Sequence, residues 1–203
     1  MGANSLRNTM LNIIDDMPIG KPFAISDFVH IAEYSTIKQN LKRFTDENII
    51  KRIIPGIYYR PKYSKLLNEF TAVDIGEVAE AMARNYNWSI VPSGDTALNM
   101  LGLSTQVPAK YEYVSSGPYH EYEIDGITLK FMHRTPKQLS DFSMMTALTV
   151  QALKALGKDN VTEVHINALK HRLKEDEKKK LLEEGKRTTH WVYSCIKKIC
   201  KEN

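Results

Sequence analysis

Residues 35–60 read STIKQNLKRFTDENIIKRIIPGIYYR, and this stretch decides how the amino-terminal part of the chain folds. Its apolar residues Ile37, Leu41 and Phe44 are spaced four and three apart, which places them on one face of an α-helix. The spacing therefore predicts an amphipathic helix over residues 35–48, with one buried side and one exposed side.

Two further helical segments are predicted upstream of this helix. Apolar residues recur at helical spacing over residues 6–17, and Pro18 ends that pattern. A second, short helix is expected over residues 26–32 with Ser26 as its N-cap, and Ser35 is expected to cap the third helix.

A β-hairpin is predicted directly after the third helix. The β-branched runs 49–54 and 57–60 flank Pro55-Gly56, a dipeptide typical of turns. Three helices followed by a hairpin is the order of a winged helix-turn-helix, and we assign that fold to residues 5–63.

The middle of the chain, residues 66–140, is predicted to form an α+β domain. It follows a linker over residues 61–73 that is expected to become helical, and Asp74 is expected to cap a helix over residues 75–86. Ser93 is expected to cap a short helix. Alternating segments then predict a small antiparallel sheet with strands at 111–115, 119–124 and 127–133, the last two joined by the turn dipeptide Asp125-Gly126.

Residues 141–203 are predicted to be helical and to pack on the second domain. Their apolar patterns predict helices over 144–156, 161–173 and 191–199, and the charge run over 174–186 is typical of a solvated helix face. The predicted fold class is therefore α+β: a winged helix-turn-helix, an α+β domain with a small antiparallel sheet, and a helical C-terminal region.

Charge is distributed unevenly along the 203 residues. Residues 1–65 hold 10 Lys and Arg against 6 Asp and Glu, residues 66–160 hold 7 against 11, and residues 161–203 hold 11 against 7. A basic head indicates a polyanionic partner for that end of the chain.

Because no apolar run could span a bilayer and the start lacks a signal-peptide pattern, we expect a soluble, cytoplasmic protein without a membrane partner. Cys195 and Cys200 are expected to be reduced structural thiols.

The side of the third helix opposite its apolar stripe is the candidate site for the polyanion. Gln pairs with adenine edges, Arg and Lys pair with guanine or phosphate, and Ser and Thr hydroxyls bond to phosphate or bases. The position of this face in a helix-turn-helix, beside a basic hairpin, favours double-stranded DNA. The predicted DNA-binding residues are Ser35, Thr36, Lys38, Gln39, Lys42 and Arg43 on the helix and Lys51, Arg52 and Arg60 on the hairpin.

The sequence contains no recognisable catalytic or metal-binding constellation. His165 and His171 lie six residues apart rather than four, so they do not share a helix face as zinc ligands would. His120 and His133 fall in predicted strands near acidic residues, which leaves a catalytic pair open although polar residues at strand edges are common. We therefore expect no enzymatic activity, no metal and no cofactor.

Two segments of the second domain carry a family resemblance. Residues 92–108, PSGDTALNMLGLSTQVP, and residues 113–118, YVSSGP, follow a head whose strand ends in PGIYY at 55–59. Together they resemble the AbiEi-like antitoxins over about residues 5–140, and the helical tail is weakly covered. The motif residues are Ser93, Gly94, Gly102, Leu103, Ser104, Gln106, Pro108 and Gly117. An architectural interpretation stays open, in which Ser93 caps a helix, Gly102 adopts a positive φ and Leu103 packs back.

The resemblance implies a transcriptional regulator of an abortive-infection toxin–antitoxin system. Its head would repress its own operon by binding operator DNA, and its second domain would oppose a co-encoded nucleotidyltransferase-like toxin without a stable complex being assumed. Two alternatives remain: a plain winged-helix repressor whose C-terminal domain dimerises or binds an effector, and a protein-interaction module that does not bind DNA. The oligomeric state is left open.

Overall fold

A computed structural model describes residues 3–66, 68–135 and 141–201 of the chain. The chain divides into two compact units, Met1–Trp88 and Ser89–Asn203. The sequence-based boundary fell at residues 63–66, whereas the helix over Ile75–Tyr86 packs on the first strand of the head and extends the first unit to Trp88. The expected boundary at residues 140–141 borders residues 136–140, which lie outside the described residues, as do 202–203 of the expected helical region.

The first unit alternates helices with short strands. Its elements are α1 (Ala3–Asp16), β1 (Pro22–Ala24), a 3₁₀ helix (Ile25–Phe28), α2 (Tyr34–Asp46), β2 (Lys51–Ile54), β3 (Ile57–Tyr59), β4 (Tyr63–Ser64), β5 (Glu69–Phe70) and α3 (Ile75–Tyr86).

A three-stranded antiparallel sheet in the order β1-β3-β2 forms the centre of this unit. The predicted hairpin is confirmed as β2 and β3, and Gly56 takes a φ of 87° in its turn, a conformation that favours glycine. Strand β1 was not predicted. It pairs Phe23 with Tyr58, and the two rings stack with centroids 6.2 Å apart.

The predicted apolar stripe of α2 is confirmed as the buried side of that helix. Ile37, Leu41 and Phe44 are fully buried, and they join Met10 and Ile14 of α1 in one apolar core. Burying these side chains supplies the free energy that holds α2 in place, since isolated helices of this length are marginal in water.

Both serine caps expected in the head are wrong. The 3₁₀ helix begins at Ile25, and its N-cap is Ala24, two positions before Ser26. The Ala24 backbone N–H donates a hydrogen bond to the Asp27 carboxylate at 2.9 Å. Helix α2 begins at Tyr34 after Glu33, so Ser35 lies in its first turn and its side chain is exposed.

The expected linker over residues 61–73 does not become helical. It contains a second antiparallel hairpin, in which β4 and β5 pair Tyr63 with Phe70. The two rings meet edge to face at 5.3 Å, and Asn68 adopts a φ of 54°, which closes the turn and is incompatible with a continuing helix.

The second unit combines a sheet with a group of helices. Its elements are β6 (Ile90–Ser93), α4 (Gly94–Met100), β7 (Lys110–Ser115), β8 (His120–Ile124), β9 (Ile127–His133), α5 (Met144–Leu156), a 3₁₀ helix (Lys158–Asn160), α6 (Glu163–Arg172), α7 (Glu175–Glu184), a 3₁₀ helix (Gly185–Arg187) and α8 (His190–Ile199).

The sheet of this unit is mixed rather than wholly antiparallel. Its order is β6-β7-β9-β8, with β6 and β7 antiparallel, β8 and β9 antiparallel, and β7 and β9 parallel. The expectation of antiparallel pairing throughout fails because β8 takes the outer edge, which leaves β9 to pair with β7. The turn at Asp125-Gly126 is confirmed, and both residues adopt a positive φ.

The helices after residue 141 bury their apolar sides together with α4. The shared core contains Leu98, Leu148, Leu153, Leu169 and Ile196. The predicted solvated character of the charge run is confirmed, since Leu181 is the buried residue of α7. Over the described ranges, no helix is both long and apolar enough to span a bilayer.

Leu41→Ala is expected to lower the free energy of unfolding of the first unit by about 2–5 kcal/mol, because it leaves a cavity in a fully buried position. Urea denaturation followed by circular dichroism, with hydrogen exchange to assign the loss to residues 3–88, measures this change. Lys42→Ala, at the adjacent exposed position, is the control and should shift stability by less than about 0.5 kcal/mol. Equal stability of the two variants would contradict the assignment of the buried side.

Candidate nucleic-acid interface

The side of α2 opposite its buried stripe faces solvent. Ser35, Lys38, Gln39, Lys42 and Arg43 are all exposed, as expected from the spacing of the apolar residues. Thr36 is half-buried, and its backbone carbonyl accepts a hydrogen bond from the side chain of Asn40. The helix therefore presents a polar face whose direction is set by packing on the other side.

An open groove of about 620 Å³ lies between this face and the hairpin. Lys38, Gln39 and Lys42 line the helix side, and Arg52 lies on the hairpin side together with the turn Pro55-Gly56. The structure thus places five of the nine predicted residues around one groove: Ser35, Lys38, Gln39, Lys42 and Arg52.

Charge in the groove is predominantly positive. Its lining includes the cations of Lys38, Lys42 and Arg52 and one carboxylate, that of Asp46. Among the residues that the structure describes, no carboxylate forms an ion pair with any of these three cations. The groove therefore keeps uncompensated positive charge for a partner.

The arginines of the first unit separate into two groups. Arg7 pairs with Glu47, Arg60 with Asp15 and Arg84 with Asp27. The remaining arginines of residues 3–88, Arg43 and Arg52, have no carboxylate partner in the described part of the chain, and they lie on α2 and on the hairpin. Unpaired arginines are thus confined to the elements predicted to bind DNA.

Tyr58 supplies a buried aromatic side chain to the lining of the groove. Burial raises the pKa of its hydroxyl, Arg52 acts in the opposite direction and Tyr34 reinforces the rise. The hydroxyl therefore stays protonated at neutral pH and presents a neutral hydrogen-bonding group rather than a second negative charge beside Asp46.

Arg60 has a structural role that differs from the predicted contact with DNA. Its guanidinium donates to the Asp15 carboxylate at 2.6 Å and to the backbone carbonyls of Asp15 and Met17 at 3.1 and 3.0 Å. These carbonyls lie at the C-terminal end of α1, where backbone acceptors lack helical partners. Arg60 therefore caps the C-terminal end of α1, and we no longer count it among the candidate DNA-binding residues.

Lys51 lies apart from the groove, against the second hairpin. Its ammonium group is 3.9 Å from the centre of the Phe70 ring, a cation–π contact. This neighbour was not predicted, because residues 61–73 were expected to be a linker. Tyr34, Asn85 and Tyr86 also line the groove without having been predicted, since the helix that carries Asn85 and Tyr86 was assigned to the second domain.

In the second unit, the family motif covers the start of α4, the loop that follows this helix, and Gly117 after β7. Ser93 is the N-cap of α4 as predicted, but its buried hydroxyl makes no capping bond and has no hydrogen-bond partner among the described residues. Gly102 has a φ of 70° as expected, and the Leu103 backbone N–H donates to the Leu98 carbonyl at 2.8 Å.

Side-chain bonds hold the same loop in shape. The Asn99 amide donates to the Ser104 and Gln106 carbonyls at 3.5 and 3.0 Å, and the Gln106 N–H donates to the Ser104 hydroxyl. Further on, the Gly117 N–H donates to the Ser115 hydroxyl at 3.0 Å. Gly102, Leu103, Ser104, Gln106 and Gly117 thus have architectural roles in the structure.

The structure also shows the surroundings of His133 and of the two cysteines, which are candidate chemical groups of the second unit. The His133 Nδ1 atom lies 2.8 Å from the Gly117 carbonyl oxygen. Burial raises the pKa of the Cys195 and Cys200 thiols, which disfavours their reactive thiolate forms. Within the described part of the chain, no group of three His, Cys, Asp or Glu side chains is placed to hold a metal ion.

One known protein family matches most of the chain. The profile of DUF6088, a family of unknown function, matches residues 9–181. The chain belongs to the DUF6088 family. The matched region begins in α1 and ends in α7, so the DUF6088 region includes the groove of the first unit and the motif of the second. No curated protein matches the sequence. The DUF6088 description assigns no activity, and the resemblance to AbiEi-like antitoxins therefore stays a prediction.

In this DUF6088 protein, Arg60→Ala is expected to lower the free energy of unfolding by about 1–3 kcal/mol, because it removes charge-assisted hydrogen bonds from two α1 carbonyls. Chemical denaturation measures the loss. Arg52→Ala is the matched control and should lower stability by less than about 0.5 kcal/mol, since the exposed Arg52 donates one long hydrogen bond, to the Ile54 carbonyl at 3.4 Å. Weaker DNA binding by Arg60→Ala at unaltered stability would instead return Arg60 to the interface.

Proposed function

We propose that this protein is a transcriptional regulator that binds double-stranded DNA through a winged helix formed by the first unit. The observation that carries the proposal is the shared groove of α2 and the β2–β3 hairpin, lined by unpaired cations and the Gln39 amide. The element order of residues 3–59 also supports a winged helix, because α2 takes the place of the recognition helix and the hairpin that of the wing.

In this proposal α2 enters the major groove, which is wide enough to admit an α-helix. Gln39 and Lys42 would then meet base edges or the phosphates beside them. Arg52 lies on the opposite side of the groove in the protein. It would contact the sugar-phosphate backbone of the DNA, which would lie between α2 and the β2–β3 hairpin. Phosphate contacts of this kind position the protein, and base contacts supply sequence preference.

A protein partner fits the groove less well. Protein interfaces are depleted in Lys and Asp, whereas Lys38, Lys42 and Asp46 all line this groove. Unpaired Arg and Lys beside a Gln amide are instead the residues that nucleic-acid interfaces use for phosphates and base edges.

The double variant Lys42→Ala/Arg43→Ala is expected to weaken binding to DNA from upstream of its own gene by about tenfold or more. If both side chains contact phosphates, the slope of log affinity against log salt concentration should become shallower by about 1.8. Fluorescence anisotropy over a salt series measures both quantities.

The matched control for this variant removes two exposed lysines of α7, Lys179 and Lys180, by substitution with alanine. It causes the same change in net charge at a site outside the first unit, so its DNA affinity should stay close to that of the unmodified protein. If both double variants lost the same DNA affinity, the loss would come from the change in net charge and not from contacts of α2. Undiminished affinity of Lys42→Ala/Arg43→Ala, with normal circular dichroism, would exclude α2 as the reader.

We further propose that the protein represses its own operon and acts as an antitoxin against a co-encoded nucleotidyltransferase-like toxin. Support for the antitoxin role comes from the resemblance of residues 92–118 to AbiEi-like antitoxins. These residues lie in the second unit, so the proposal separates the two activities along the chain.

Full-length Lys42→Ala/Arg43→Ala is expected to lose repression while still protecting cells from the toxin, because α2 lies in the first unit and the motif in the second. A promoter-reporter assay and a growth assay with the neighbouring gene co-expressed measure the two activities. Loss of both activities in a folded variant would contradict the separation. Failure of the unmodified protein to protect would favour a plain repressor.

A further inference from the structure

The second unit contains a pocket of about 230 Å³ that lies outside the proposed DNA-binding groove. Its apolar wall comes from the sheet and from α5: Val91 of β6, Val114 of β7, and Ala147 and Val150 of α5, all buried. Such a volume lies below the roughly 300–1,000 Å³ of most drug-sized ligand sites, so an occupant would be a small molecule.

Three cations line the same pocket: Arg134 after β9, Lys154 of α5 and Arg187 of the 3₁₀ helix that follows α7. In the described ranges, none of them forms an ion pair with a carboxylate. The Arg187 guanidinium is held 5.4 Å from the centre of the Phe142 ring, which orders it without neutralising its charge.

The acidic groups nearby compensate this positive charge only in part. The Glu184 carboxylate accepts hydrogen bonds from the backbone N–H and the hydroxyl of Ser143, both at 2.9 Å. Its charge also acts on Arg187, although the two side chains form no ion pair among the described residues. Asp141 is the carboxylate in the pocket lining, and it faces three cations. The lining therefore favours an occupant with two negative charges.

Arg and Lys around a confined site suit a phosphate group, because guanidinium forms paired hydrogen bonds to its oxygens and ammonium adds a point charge. Asp141 would repel a phosphate but accepts hydrogen bonds from hydroxyl groups, and the Gln151 amide both donates and accepts. A ligand with a phosphate at one end and hydroxyl groups at the other meets both requirements, and the valines provide a surface for its carbon skeleton.

We propose that this pocket binds a small phosphate monoester of a hydroxylated compound, with the phosphate on Arg134, Lys154 and Arg187 and the hydroxyl groups on Asp141 and Gln151. The site belongs to the second unit alone, so it does not depend on DNA binding by the first.

Isothermal titration of the full-length protein with ribose 5-phosphate tests the proposal, with ribose and inorganic phosphate titrated in parallel. Saturable binding of the ester is expected, with inorganic phosphate binding more weakly and ribose not at all. Arg134→Gln/Lys154→Gln should weaken ester binding by about tenfold or more, because two charge-assisted contacts are lost. The charge-matched control Lys179→Gln/Lys180→Gln, at exposed positions outside the pocket, should bind as the unmodified protein does.

Asp141→Asn separates the two ends of the site. It removes a charge that repels phosphate and weakens an acceptor for hydroxyl groups, so the preference for ribose 5-phosphate over inorganic phosphate should shrink. The absence of saturable binding up to about 10 mM ester would overturn the proposal. Equal affinity for inorganic phosphate, or an equal loss in the α7 control, would also overturn it, and unchanged melting temperatures would show that the variants are folded.

Discussion

The burial of one side of α2 determines the direction in which the polar side chains of this helix face solvent. Ile37, Leu41 and Phe44 are completely withdrawn from water, and their removal from solvent fixes the rotation of the helix about its own axis. Because side chains on a helix are separated by fixed angles, the polar residues between them have a single possible direction. The sheet then sets the distance from that polar face to Arg52, and so sets the width of the groove.

The parts of this arrangement that sequence could predict depend on local rules. Helical spacing identified α2 and its exposed face, and Pro55-Gly56 identified the hairpin turn. The failures occur where a contact distant in sequence decides the outcome. Arg60 carries the same charge as Arg52, but it meets the end of α1, which lies more than 40 residues earlier, and no local pattern contains that information. Lys51 likewise meets Phe70 through a hairpin that was expected to be a linker.

In the second unit as well, features set by neighbouring residues could be predicted, and features set by contacts distant in sequence could not. The Asp125-Gly126 turn was predictable because both positions must tolerate a positive φ. The parallel pairing of β7 with β9 was not predictable, since it depends on which strand takes the outer edge of the sheet. The phosphate pocket brings together Arg134, Lys154 and Arg187 from three separate elements, and none of these residues lies in a recognisable motif.

Gly94 and Glu112 illustrate how the motif constrains sequence change over evolution. A methyl group at Gly94 would occupy the position of the Glu112 carboxylate, and the backbone there already has a φ of 54°. Glu112 could rotate away, but its carboxylate lies 3.5 and 3.6 Å from the ammonium groups of Lys110 and Lys130. Moving or shortening it would leave these two like charges side by side without their shared counter-charge. The cost of a substitution at position 94 therefore depends on Glu112 and, through it, on Lys110 and Lys130.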